Sequence, residues 1–425
     1  MARLDAARLR RLQTLGVLSG VTAGAWLGAA EAPTKLVVLG IPPVAISLVM
    51  VLGVFLARWS VPALLRGTAG VRADLAHTPH LVVWALLAGG LWAVANTLTV
   101  HAIRDVGLAI AFPLWNANGL LGIVWGALLF GELRGAGASR WLGVCGGAAL
   151  LFAGAVALGL ASAEEAPPAE ALRGVAAALG AGVLWGTMYI PYRKAYLTGM
   201  HPLSFLAFFT VGELATMGAL AWSELGGPTG VWRTLVAARG VLFWLLLGGF
   251  VWVIGDLFQQ YAAKYVGIGR GIPLSNTNQL WGLLWGVLVF GELREAEGAV
   301  LAQVVAGSLL MAAGALAIAL SSAPLREHQH WEAAAEREAR RYGVDAAWVQ
   351  ARLAGGDPDA GGARPRSALD VLLVVAASAA FVAAAAVAEA PALAFRLDAA
   401  LALAAASVGL LVWCGLSLWR TTRFG

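Results

Sequence analysis

The chain has 425 residues, of which 60% are hydrophobic and only 12% are charged, and its mean hydropathy is +0.77. Soluble domains carry about 25% charged residues, so this composition excludes an ordinary soluble protein and indicates a protein embedded in lipid. The formal charge of +5 does not point to nucleic acid, because the cations lie in segments between apolar stretches.

Twelve apolar stretches follow one another along the chain with mostly short gaps. Each approaches the roughly 20 residues that a spanning helix needs, which predicts an all-α polytopic membrane protein of about 12 spans. The predicted spans are 15–32, 36–56, 81–103, 107–130, 141–161, 173–191, 202–222, 241–263, 268–290, 299–321, 369–390 and 398–419.

The distribution of cations predicts the orientation of these spans. With the N-terminus in the cytoplasm, 22 of the 29 Lys and Arg fall in inside segments, among them Arg58 in the loop after the second span. This is the positive-inside bias. We therefore expect a multi-pass protein of the cell inner (plasma) membrane with both termini cytoplasmic and no nucleic-acid partner.

An internal repeat divides the chain. Aligning 113–134 with 273–294 matches fourteen of 22 positions, and upstream Trp92 aligns with Trp252 and Asn96 with Asp256. The predicted domains are a cytoplasmic N-tail (1–13), two five-helix repeats (14–161 and 172–322), a cytoplasmic polar insert (323–366) and a C-terminal hairpin (367–425).

Five spans in each repeat make the second half enter the membrane from the opposite side. Inverted repeats of this kind are characteristic of secondary transporters, because two related halves can exchange conformations around a central site. A duplication that serves only to pack the bundle is the alternative.

The segments "P…N…W…FGE" in both halves and "GTMYIPYRK" at 186–194 resemble the drug/metabolite transporter superfamily and its EamA-type five-helix repeat. Within it, the chain is similar to the glucose/rhamnose porter group and its eukaryotic TMEM-type relatives. That resemblance implies a ten-helix sugar carrier driven by ions or protons. It covers about 14–322.

The chain departs from this family after the tenth span. Mixed charge at helical spacing in 330–354 predicts a solvated cytoplasmic helix pair. The two Ala-rich spans that follow either pack on the bundle or make the contact of a homodimer.

Polar groups inside spans are candidates for substrate contact, because their burial in lipid is costly. Asn118 and Trp125 share a helix face, as do Asn278 and Trp285, whereas Asn116 and Asn276 are predicted to point elsewhere. Amides and aromatic planes suit a neutral polyol; bridging helices and filling volume are the alternative roles. The predicted substrate-binding residues are Asn96, Asn116, Asn118, Trp125, Gln259, Asn276, Asn278 and Trp285.

Two carboxylates fall in the middle of spans and are candidates for proton coupling. Asp256 is predicted to be a lone buried acid, whose protonation and release once per cycle would drive transport; a structural hydrogen bond is the alternative. Glu213 is predicted to be a second proton site or the partner of a cation.

Charged and aromatic residues flank a proline at the end of the first and sixth spans. Glu31, Lys35, Tyr189 and Arg193 are candidates for a gate or for the transport path. We expect Lys194 to reach the lipid headgroups and cap helix carbonyls, and Glu132 to have a structural role as an ion pair or loop anchor.

The sequence has none of the motifs G-x-S-x-G, H-E-x-x-H and G-x-x-x-x-G-K-[ST]. We therefore expect no enzyme activity, no cofactor and no metal site. The predicted function is secondary active transport of a small neutral metabolite, above all a monosaccharide, by alternating access with proton coupling. The alternatives are transport of an amino acid, a ureide or a drug-like cation, or a membrane scaffold without transport.

Overall fold

The computed structural model describes residues 6–30, 32–33, 41–116, 118–160, 168–291, 297–321, 324–354, 356, 366–389 and 395–422. All regular secondary structure in these ranges is helical. The helices are α1 (Ala6–Ala29), α2 (Pro43–Leu65), α3 (Thr68–His77), α4 (Leu81–Trp115), α5 (Asn118–Phe130), α6 (Ala138–Leu160), α7 (Pro168–Leu197), α8 (Pro202–Glu224), α9 (Gly227–Ala237), α10 (Leu242–Val266), α11 (Ile268–Ser275), α12 (Asn278–Leu284), α13 (Gly298–Leu320), α14 (Pro324–Tyr342), α15 (Ala346–Leu353), α16 (Ala368–Ala386) and α17 (Leu397–Thr422). A 3-10 turn (Arg239–Val241) precedes α10, and a π-helical turn (Trp285–Val289) follows α12.

Nine helices among the described residues are long and apolar enough to cross a bilayer. This makes the chain a multi-pass membrane protein. The first predicted span, 15–32, overlaps α1 up to Ala29, and the N-terminal turns of α1 carry several arginines. The fourth and ninth predicted spans are each interrupted.

Helix α4 is longer than its predicted span and runs for 35 residues through the expected loop at 104–106. Asp105 lies in that stretch, and Arg173 of α7 binds its carboxylate at 2.5 and 2.9 Å. The ion pair compensates the charge of Asp105 within the helix. The charged stretch therefore does not have to form a solvated loop, and the helix continues through it. The corresponding segment of the second half does break, at Gly267, where φ is +84°.

Helix α2 continues to Leu65 rather than ending at residue 56. It therefore contains Arg58, whose side chain is 1% exposed. Placing Arg58 in a cytoplasmic loop was wrong. The physical reason is that two carboxylates from other helices compensate its charge, as described below.

Helix packing follows a reciprocal pattern. Helix α1 packs on α10 as α4 packs on α7, and α2 packs on α10 as α4 packs on α8; α2 also packs on α8, α5 on α11 and α6 on α13. Two of these contacts depend on glycine. A Cβ at Gly249 would collide with the carbonyl oxygen of Met50, and one at Gly89 with the carbonyl oxygen of Phe209.

The segment after α13 forms the predicted helix pair, but the pair is only partly solvated. One side chain, that of Trp331, is buried against the bundle. The contact between α14 and α15 buries three more, those of Ala335, Trp348 and Val349. The opposite face of α14, which includes Arg337 and Arg340, is exposed.

The two C-terminal helices pack on the bundle at different places. Phe381 of α16 packs edge-to-face on Phe250 of α10, and the indole of Trp26 in α1 donates a hydrogen bond of 3.0 Å to the carbonyl oxygen of Ser407 in α17. An apolar cavity of about 440 Å³ lies between α17 and the helices it covers.

Candidate functional site

A cluster of three buried charges lies where α2, α8 and α10 meet; we call Arg58, Glu213 and Asp256 the central cluster. Arg58 donates to Glu213 Oε2 at 2.8 Å and to Asp256 Oδ2 at 2.7 Å. The three side chains are 1%, 0% and 0% exposed. Isolated charges are costly to bury, so this arrangement is maintained by mutual pairing.

Polar and aromatic side chains extend the central cluster. Gln260 donates to Asp256 Oδ1 at 2.8 Å and accepts from the Tyr196 hydroxyl at 2.5 Å. The rings of Phe209 and Trp252 lie 4.3 and 5.3 Å from the Arg58 guanidinium carbon. The central cluster thus contacts a hydrogen-bonded chain of polar side chains on one side and aromatic ring faces on the other.

One side of the central cluster has unused hydrogen-bonding capacity. Among the described residues, neither Glu213 Oε1 nor the Tyr192 hydroxyl has a hydrogen-bond partner, although both are buried. Buried polar atoms normally find partners. Glu213 Oε1 can therefore accept from a bound hydroxyl group or carry a proton.

The asparagines of the two repeats meet at a second site. The Asn276 amide donates to Asn118 Oδ1 at 3.1 Å and to the carbonyl oxygen of Asn116 at 3.2 Å. The sequence places Asn116 off the face that carries Asn118 and Asn276 off the face that carries Asn278. The structure adds that the Asn276 side chain contacts Asn118 of the other repeat, whereas Asn116 takes part through its backbone carbonyl. The chain leaves regular helix at Asn116 and again at Asn276. Helical spacing therefore does not predict the directions of these two side chains. The adjoining cavity has a volume of about 20 Å³, room for about one water molecule.

The other predicted substrate residues lie apart from one another. Asn96 donates to Ser47 at 3.1 Å, and Gln259 donates to Ser275 at 2.6 Å. Trp125 packs against the main apolar core. Asn278 begins α12, and Trp285 lines the apolar cavity beside α17. The predicted set therefore does not converge on one pocket in this conformation.

The predicted gate residues have different outcomes. Glu31 and Lys35 lie outside the described residues. Tyr189 is buried, with its ring 5.9 Å from that of Tyr192. Arg193 is 1% exposed and forms an ion pair of 2.9 Å with Glu132.

Glu132 connects the two halves of the chain. Its carboxylate oxygens accept from the backbone N–H groups of Ile268 and Gly269 at 3.1 and 2.9 Å, at the start of α11. A carboxylate at a helix N-terminus satisfies free N–H groups and interacts favourably with the helix dipole. This contact agrees with the anchoring role expected of Glu132.

Lys194 does not reach the headgroups as expected. Its ammonium group forms an ion pair of 2.6 Å with Glu338 of α14 and is 5.0 Å from the ring centres of Trp84 and Tyr342. Helix α14 covers this side chain, so a protein carboxylate takes the place of lipid phosphate.

Sequence reasoning missed Arg58, the residue that connects both predicted acids. Its position next to the end of an apolar run is the usual place for a flanking cation. The available signal was the presence of two carboxylates in other spans, since buried acids need a compensating charge.

The fold and the central cluster define a multi-pass helical membrane protein with a buried, charged site. Residues 178–337 match a protein family described as sugar transport protein. This region contains Glu213 and Asp256 and extends from α7 into α14.

Several bacterial proteins are similar in sequence. A protein of Streptococcus pyogenes serotype M1, provisionally described as a sugar uptake protein, is 41% identical over 80 residues, which are 18% of this chain and 26% of that protein. The match thus spans about a quarter of its length. A glucose uptake protein of Staphylococcus xylosus is 24% identical over 51% of this chain and 70% of its own. A protein of Lactiplantibacillus plantarum, also provisionally described as a sugar uptake protein, is 26% identical over 57% and 80%.

Proposed function

We propose that this protein is a secondary carrier that moves a monosaccharide across the cell membrane by alternating access. The similarity to sugar transport and glucose uptake proteins supports the substrate class. The central cluster is the observation that carries the proposal, because ionisable groups buried in spanning helices usually belong to transport pathways.

The chemistry of the central cluster suits a sugar. Carboxylate oxygens accept from hydroxyl groups, and the Gln260 amide both donates and accepts. The faces of Trp252 and Phe209 can pack against the C–H face of a pyranose. The unpartnered Glu213 Oε1 offers a place for a substrate hydroxyl.

The reciprocal packing supports an inverted repeat. In the proposed halves, α1 corresponds to α7, α2 to α8, and α4 to α10 together with α11. Helix α5 corresponds to α12 with its π-helical turn, and α6 corresponds to α13. Exchanging the halves then turns the α1–α10 contact into the α7–α4 contact, both of which occur. Gly89 and Gly249, which are 160 residues apart as in the repeat, both make close helix contacts.

The conformation described is closed at the asparagine site. A cavity of about 20 Å³ is far below the roughly 300 Å³ of small-molecule pockets. Admission of a sugar there requires the halves to separate, which is the movement that alternating access supplies.

Charge balance supports proton coupling. Two ionised carboxylates and one guanidinium leave the central cluster with one excess negative charge at a fully buried site. One proton neutralises it. Glu213 is the better acceptor, because one of its oxygens is unpartnered whereas both oxygens of Asp256 accept hydrogen bonds.

The test is uptake of labelled glucose into liposomes, with and without an inward proton gradient. Wild-type protein should accumulate sugar only with the gradient. Glu213→Gln should lose accumulation while it retains exchange, and Glu224→Gln, an exposed acid on the same helix, should behave as wild type. Gradient-driven accumulation by Glu213→Gln at the wild-type level would overturn the coupling assignment.

The excess negative charge also favours a second candidate, a cationic metabolite. The same liposomes distinguish the two, because a cation carrier should take up labelled cationic compounds and exclude glucose. If no solute is taken up, both transport proposals fail and the scaffold alternative gains support.

A further inference from the structure

The polar segment that follows α13 covers one end of the bundle and is held there by buried aromatic contacts and ion pairs. The face turned to the bundle presents Trp331 from α14 and Trp348 and Arg352 from α15, all buried, together with the partly buried Glu338 from α14. The charge distribution along the sequence predicts that this end lies on the cytoplasmic side. The match to the sugar transport family ends at residue 337, within α14, and does not include α15.

The first group of contacts holds the end of α7. The ring centre of Trp331 lies 4.1 Å from the guanidinium carbon of Arg193, and Glu338 binds Lys194 at 2.6 Å. Trp348 lies over Gly199, where a Cβ would be 2.5 Å from the ring. Three side chains of the segment thus contact the seven residues from 193 to 199.

The second group of contacts holds α3 and the start of α4. Arg352 donates to Asp74 Oδ1 at 2.8 Å, and both side chains are almost fully buried. Tyr342 stacks on His80 with ring centres 3.8 Å apart, and Trp348 stacks on His77 at 4.6 Å. The segment therefore bridges elements from both proposed halves.

Under the proposed function, these elements must move apart when the carrier opens to the cytoplasm. We propose that Pro324–Leu353 is a cytoplasmic latch: while it is docked on α3 and α7 the inner end is closed, and its release permits inward opening. The transport part of this inference rests on the proposed function, whereas the closure of the inner end does not.

The first test measures closure without transport. Ala195 of α7 is fully buried in the core cluster that includes Trp331. In a Cys145→Ser, Cys414→Ala background, Ala195→Cys should react slowly with an impermeant thiol reagent in inside-out vesicles. Glu338→Gln with Arg352→Gln should raise the labelling rate at least tenfold, because the first substitution removes a charge-assisted hydrogen bond at a partly buried site and the second removes one at a fully buried site.

A matched control lies on the same helix. Glu336 and Arg340 form an exposed pair 3.8 Å apart, so Glu336→Gln with Arg340→Gln should leave the labelling rate of Ala195→Cys unchanged. Equal rates in the docked-face and exposed-face variants would overturn the latch.

The second test uses a covalent link to hold the latch in its docked position. Lys194→Cys with Glu338→Cys, joined by a short cleavable bifunctional thiol reagent, should abolish sugar uptake until the linker is reduced. Glu336→Cys with Arg340→Cys, joined in the same way, should transport normally. Full uptake with the 194–338 link intact would overturn the latch. If labelling follows the predictions but no variant, including wild type, takes up solute, the proposed function fails and the closure stands.

Discussion

The central cluster and the latch are both held by ion pairs, but in different surroundings. Arg58, Glu213 and Asp256 are at most 1% exposed. In the latch, the Arg352–Asp74 pair is equally buried, whereas Glu338, the partner of Lys194, is 23% exposed. Removing one charge from a fully desolvated group leaves the others uncompensated. At the edge of the bundle, water can replace a lost partner. The central cluster should therefore tolerate no loss of charge, whereas the latch should separate first at the Lys194–Glu338 pair.

The largest effect should come from Arg58→Met, which leaves two buried carboxylates without a cation. We expect a loss of about 3–5 kcal/mol of stability, as for breaking other buried pairs. The midpoint of thermal denaturation in detergent measures it. Adding Glu213→Gln and Asp256→Asn should recover most of the loss. If Arg58→Met alone is as stable as wild type, the cluster is not the desolvated site described here.

A substitution that adds volume without changing charge measures the contribution of helix packing separately from that of the buried charges. Gly249→Ala should destabilise the bundle by about 1–3 kcal/mol, because the new methyl group meets the backbone of α2 and overpacked sites are costly. Gly218→Ala is the control, since no atom lies within 4 Å of a Cβ there. The same denaturation midpoint is the measurement; equal midpoints for the two variants would contradict the close contact of α2 and α10.

Acid should loosen the latch. Burial lowers the pKa of His80 below its usual range, the nearby Lys194 lowers it further, and Glu338 opposes the change. These groups, with Tyr342, face His80 from α7 and α14. A histidine with a lowered pKa in the closed state stabilises that state at neutral pH, and this contribution is lost as the pH falls below about 6.5.

Labelling of Ala195→Cys should therefore be faster at pH 5.5 than at pH 7.5, after correction for the reactivity of the thiol itself. His80→Gln should remove this difference between the two pH values. A pH response that survives in His80→Gln assigns the effect to another group.

The smallest effect belongs to the exposed pair on α14. Glu336→Gln should change the free energy of unfolding by less than about 0.5 kcal/mol, because exposed pairs four residues apart contribute little. A larger loss would show that this face of α14 is not free, and the contrast with the docked face would then disappear.

The sequence predicts the class of fold well because apolar runs of span length depend on composition alone. It also identifies Glu213 and Asp256, since an acid inside such a run is conspicuous. It cannot place Arg58, because a cation near the end of a span has the same sequence appearance whether it meets lipid headgroups or buried acids.

Helical spacing also fails where helices break. Asn118 and Asn276 meet because α4 and α11 end beside them. The break before α11 likewise involves a tertiary contact, the Glu132 carboxylate that binds the N–H groups of Ile268 and Gly269. The docking of α14 is likewise a tertiary property. Its charge pattern predicts a helix, but not which face is covered.

The separate docking of α16 and α17 has a consequence for the surrounding bilayer. These helices clad α1, α2 and α10, whereas side chains of α4 and α7 such as Val83 and Val183 remain exposed on the surface. One flank of the molecule therefore meets acyl chains through an added protein layer and the other meets them directly. Bilayer thickness should act unequally on the two flanks, so lipids of different chain length offer a way to load one flank mechanically without altering a residue.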